Sequence, residues 1–187
     1  MAVVNWVGLG VGMDGKRERR KAMRLKGYDY AQDGVYFVTI CTFDRTCLFG
    51  DVDAGEVQLN DLGRIVDAEW RASTELRGEI ELDMWTVMPN HVRGIVFIAN
   101  SGAYAIRPYN TQEGSIPRSP SKTLGAMIRG FKGATTARIN QHRSKPGATV
   151  WQRNYYEHVI RDDEALNRIR QYIHDNPTPW ALDHDTQ

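Results

Sequence analysis

The sequence predicts an α+β fold: a ferredoxin-like split βαβ antiparallel sheet with helices packed on one face and a C-terminal helix added. Three observations point to it. The apolar pattern reads strand, helix, strand, strand, helix, strand, then one last helix. The strand segments are rich in β-branched and aromatic residues, whereas the helical ones repeat their apolar positions every three to four residues. A stretch over 99–120, with prolines at 108, 117 and 120, reads as one long loop, because too little chain follows it to build a second core. This architecture hosts many activities and does not by itself name one.

Each element has its own signal. Gly27-Tyr28-Asp29-Tyr30 and Asp33-Gly34 punctuate the entry to a strand over Val35–Phe43. Residues Gly50 to Gly55, with their scattered acids, read as a turn region. Asn60 or Asp61 is an N-cap for a helix to about Leu76, whose inner positions are Leu62, Ile65, Val66 and Trp70. Ile80–Met88 and Val92–Ile98 are two more strands joined at Pro89-Asn90. Ser121–His142 is helical, with Leu124, Met127, Ile128 and Phe131 inward and Lys122, Arg129 and Lys132 largely away from that stripe. Pro146-Gly147 closes that region, and Val150–Ile160 is a fourth, strongly aromatic strand. Asp162 or Asp163 then caps a last helix through Leu166, Ile169 and Ile173, stopped by Pro177. The expected organisation is a flexible leader and basic arm over 1–26, one domain over 27–180 and a tail over 181–187.

Composition excludes several classes. The 187 residues, 25% charged and 41% hydrophobic, are those of an ordinary globular domain, and a net charge of +1 announces no globally basic protein. Charge distribution is more telling: Lys16 to Lys26 carries seven cations against one acid, either a solvated tail or an arm for phosphates. No apolar run reaches membrane-spanning length, so no membrane partner is expected. Cys41 and Cys47 match no metal spacing and read as buried apolar residues of a reducing cytosol. Gly8-Leu9-Gly10-Val11-Gly12 follows no convincing strand and opens no helix, which argues against a phosphate loop.

Two stretches carry the candidate chemistry. In Met88-Pro89-Asn90-His91-Val92-Arg93-Gly94-Ile95-Val96, a strand would aim His91 and Arg93 at one face. In Tyr172-Ile173-His174-Asp175-Asn176-Pro177, a helical pattern stacks Tyr172 and Asn176 on one side. A phenol, an imidazole and an amide oxygen are thereby able to converge on one metal and one phosphate. Singly, each has a structural reading as well: a hydrogen-bonded His, a half-buried Tyr with its hydroxyl in water, an Asn ending a helix.

Taken with Arg24-Leu25-Lys26-Gly27-Tyr28-Asp29-Tyr30, Tyr36-Phe37-Val38-Thr39-Ile40-Cys41-Thr42 and Trp151-Gln152-Arg153-Asn154-Tyr155-Tyr156-Glu157-His158, these stretches match a known family in order and spacing over roughly residues 20–180. The chain resembles the single-tyrosine DNA transposases of the His-hydrophobic-His superfamily, most of all those associated with repetitive extragenic palindromes (REP). The resemblance implies that Tyr172 is the nucleophile on a DNA phosphodiester, giving a 5′-phosphotyrosine and a free 3′-hydroxyl. It further implies that His91 and Asn176 ligate a divalent metal, Mg²⁺ or Mn²⁺. Tyr155 and Tyr156 are rival nucleophiles by type, but four residues on stand Val159 and Ile160, which ligate nothing. Gln152, Glu157 and His158 are candidates for orienting the site, with a structural role equally open.

The chain departs from the family motif at Arg93, where a second histidine is called for. Arginine stays protonated and offers no lone pair, so it does not ligate a cation. The reading favoured is cleavage impaired through weak or absent metal binding; the alternative is a non-catalytic hairpin-DNA-binding protein. The implied partner is single-stranded DNA folded into hairpins, met by Arg19, Arg20, Lys21, Arg24 and Lys26 of the arm and by Lys122, Arg129 and Lys132. Tyr28, Tyr30 and Tyr104 are candidates for stacking on unpaired bases. The expected state is a monomer or homodimer in the cytoplasm, associated with the nucleoid.

Overall fold

The computed structural model describes residues 33–99, 123–177 and 180. The basic arm, Lys122, Tyr28, Tyr30, Tyr104 and most of the long loop lie outside them. A four-stranded antiparallel sheet runs in the order β4-β5-β1-β6, with β1 Gly34–Cys41, β4 Ile80–Met88, β5 His91–Ile98 and β6 Tyr156–Ile160. The two inner strands are β1 and β5, which accounts for their long apolar runs. Helices α1 (Asp61–Leu76) and α2 (Leu124–His142) pack on one face, and α3 (Asp163–His174) on the other.

Strand alternation sets this division. Tyr36, Val38 and Ile40 turn toward Val66, Trp70, Met127 and Phe131 of α1 and α2. Phe37 and Ile95 point the opposite way, onto Ile160, Ile173, Leu166 and Ile169. In the larger core, Trp70 meets Phe131 edge to face with centroids 5.1 Å apart, and Phe131 touches Trp151 at 5.5 Å. Gly94 of β5 makes room for this stack: a Cβ there would stand 2.8 Å from Cζ2 of Trp70. The caps are as the side chains require, with Asn60 accepting from the amide of Gly63 at 3.0 Å and Asp162 from that of Ala165 at 2.7 Å.

Three expected boundaries change. Residues 50–59 form a β-hairpin, β2 Gly50–Asp53 with β3 Glu56–Leu59, not a plain turn. Its four-residue strands are too short and acidic to show a period, and Ala54 and Gly55, at φ 49° and 80°, make the tight connection. The aromatic run from Val150 pairs as a ladder only from Tyr156; before it there is a single bridge, Trp151 to Thr42. The carbonyls of Gln152 and Asn154 turn instead to the ammonium of Lys132, at 2.8 and 3.0 Å. Helix α2 begins at Leu124 because Thr123 caps it, accepting from the amide of Ala126 at 3.2 Å.

Candidate functional site

The sheet face under α3 collects the candidate residues. Register places Arg93 opposite Thr39 and His91 opposite Cys41, both projecting from the same face as Phe37. Helix α3 is seated there by Ile169 and Ile173 and fastened to β4 by Arg170, whose Nε and Nη2 lie 2.8 and 2.7 Å from Asp83 Oδ2. This seating sets the Tyr172 ring edge-on to Phe37, centroids 6.1 Å apart, while leaving the side chain 49% exposed. The guanidinium of Arg93 lies over the same ring, 4.9 Å from its centroid. Its Nη1 donates to Oδ1 of Asn176, just beyond the end of α3.

His91 is held in one tautomer. The amide nitrogen of Asn90 donates to the carbonyl of Arg45 at 3.2 Å, so Asn90 Oδ1, 2.8 Å from His91 Nδ1, accepts its proton. Nε2 keeps the lone pair and is buried with no partner among the described residues. The turn beneath is braced by the amides of Thr42, Leu48 and Phe49, which donate to the carbonyls of Asn90 and Pro89 at 2.8–3.0 Å. Burial first, then the charges of Arg93 and Arg45, push the imidazole pKa down to about 3. The indole of Trp180 covers the ring at 5.6 Å.

A consequence follows for stability. Between the ordinary histidine value of 6.5 and about 3, the unfolded chain binds a proton that folded His91 refuses. Stability from this group is therefore complete above pH 6.5 and falls as pH drops, by up to about 1.4 kcal/mol per pH unit. Urea unfolding at pH 7, 5 and 4 should show a smaller acid loss in His91→Gln than in the wild type. Parallel pH dependences would contradict it.

The donor set does not fit a divalent cation. The one oxygen expected to ligate, Asn176 Oδ1, already accepts from Arg93. No group of three His, Cys, Asp or Glu that could hold a metal occurs among the described residues. The free lone pair of His91 Nε2 faces the fields of two arginines, and hard divalent ions take six or more ligands, mostly oxygen.

The other candidates separate from this cluster. Arg129 and Lys132 sit on α2, across the sheet from Tyr172, and Lys132 spends its ammonium on backbone carbonyls, its pKa lowered by burial to about 8. Tyr156 joins the α3-side core and Tyr155 the larger one. His158 stands on the edge strand β6 opposite Phe37, and Gln152 precedes that strand. Arg45 and Asn90 went unnoticed in the sequence. The Pro89-Asn90 turn was the available signal for Asn90; nothing local marks Arg45.

This fold, with a tyrosine on its last helix and His91 and Arg93 on the strand beneath it, is similar to that of a solved tyrosine transposase. The chain is similar to REP-associated tyrosine transposases in fold and, more distantly, in sequence. It is 36% identical over 166 residues to an uncharacterized protein of Haemophilus influenzae, covering 88% of this chain and 91% of that one. A second protein of that organism, named for the REP-associated tyrosine transposases, is 26% identical over 151 residues, 80% of this chain and 73% of its own. The solved structure of a REP-associated tyrosine transposase bound to a REP hairpin superposes with a TM-score of 0.57 at 18% identity, covering 84% of this chain and 74% of that one. No family model matches the chain. Among the described residues no helix is long and apolar enough to cross a membrane.

Proposed function

We propose that this chain binds single-stranded DNA folded into hairpins and carries on Tyr172 a cleavage and strand-transfer chemistry impaired by Arg93. The observation that supports it is the contact of Arg93 with both the ring of Tyr172 and the amide oxygen of Asn176, which brings phenol, cation and amide together. The hairpin held by the solved relative supports the choice of DNA. In the step, the phenolate oxygen bonds to phosphorus as the bond from phosphorus to O3′ breaks. The departing oxygen takes a proton, and the 5′-phosphotyrosine conserves the bond for rejoining. Mg²⁺ or Mn²⁺ would supply Lewis-acid polarisation in such a site; here its binding is weak or absent, because Arg93 holds the amide oxygen.

The test is denaturing electrophoresis of a labelled hairpin after incubation with Mn²⁺. A faint covalent adduct is expected, absent in Tyr172→Phe. An equal adduct in both proteins overturns Tyr172 as nucleophile. The engagement of Asn176 by Arg93 favours a second reading, a hairpin-binding protein without cleavage, which retained binding with no adduct at all would establish.

A further inference from the structure

We infer that Arg93 stands in for the metal and binds a DNA phosphate directly, with no divalent cation. This rests on the DNA-binding reading above and specifies how the phosphate is held. Among the described residues, the charged or titratable groups acting on Arg93 are Tyr172, Cys41 and Arg45, none of them a carboxylate. A guanidinium taken out of water without a counter-anion is disfavoured, and an anionic ligand completes such a site.

The hydrogen-bonding inventory agrees. One guanidinium nitrogen is committed to Asn176 Oδ1, and the plane is stacked on Tyr172. Arg93 Nε and Asn176 Nδ2 are both buried with no partner among the described residues, and Asn176 is only 8% exposed. Two side chains in contact thus present two unanswered donors and a positive charge. A metal ion would satisfy neither donor. A phosphate oxygen accepts from both, and the planar fork suits its geometry. Arg45 adds a second positive charge close by, while neutral His91 adds none. Tyr172 beside them is half-exposed.

Fluorescence anisotropy with a labelled hairpin bearing a single-stranded foot tests this. Wild-type affinity should be the same in EDTA as in Mn²⁺. Arg93→Gln should weaken binding about tenfold or more in EDTA. It should also make the slope of log affinity against log salt shallower by about 0.7, the loss of one phosphate contact, a change that mere loosening of the fold does not produce. Asn176→Asp keeps the shape while giving Arg93 an internal counter-ion, and it should weaken binding similarly. Wild-type binding that EDTA abolishes overturns the inference alone. So does wild-type affinity and slope in both variants. No hairpin binding by the wild type in either buffer overturns the DNA reading as well.

Discussion

Arg93→His is expected to strengthen divalent-metal binding at the Tyr172 face. The substitution releases Asn176 Oδ1 and puts a second imidazole two residues from His91 on the same face. It also removes a fixed positive charge. Two unit charges about 4 Å apart at an effective dielectric near 20 repel by roughly 4 kcal/mol, so a gain in Mn²⁺ affinity on the order of a thousandfold is expected. Isothermal titration with Mn²⁺ alone reads the affinity independently of catalysis. The Tyr172-dependent adduct should rise in parallel, and hairpin binding should become sensitive to EDTA. A variant that folds but takes up no more Mn²⁺ than the wild type would mean that Arg93 is not what keeps metal out.

Trp70→Ala should produce the largest loss of stability of any single substitution in the sheet–helix core. Trp70 is fully buried, wedged between Gly94 and the edge of Phe131, and α1 is held to the sheet through it. Truncating a buried Trp costs about 3–5 kcal/mol. The lower half of that range is expected, because its indole nitrogen is buried without a partner among the described residues and relief of that group offsets part of the cost. Thermal unfolding should drop by roughly 6–12 °C. Leu76→Ala on the same helix is the control: at 81% exposed it should shift stability by less than about 0.5 kcal/mol. Equal losses in the two variants would contradict the packing described for α1.

Legibility differed sharply between elements. Helices α1 and α3 were readable almost to the residue, since Asn60 and Asp162 cap them and their apolar stripes are regular. The inner strands β1 and β5 were equally plain, their runs being apolar on both faces. The β2–β3 hairpin was hidden because it depends on two left-handed residues, Ala54 and Gly55, whose backbone states composition does not reveal. The early end of the aromatic run before β6 was hidden for another reason. Its acceptors are captured by Lys132, twenty residues or more away in sequence. Among the site residues, Tyr172, His91 and Asn176 stood out by type and spacing, and Arg93 by its departure from the motif. Asn90 and Arg45 act through a turn and a field that no local pattern encodes.

The order of strands and helices, and the presence of a tyrosine, an imidazole and an amide at family spacing, belong to the chain itself, because periodicity and caps act between near neighbours. Where Arg93 goes was decided only by the folded molecule. A lone arginine on a strand is free to swing to solvent, and nothing local forbids it. Packing of α3 on β4 and β5 brings the ring of Tyr172 over its plane and the amide of Asn176 against its edge, 83 positions along the chain. Contacts so distant exist only once the intervening sheet is built, and they fix the guanidinium against the ring and the amide.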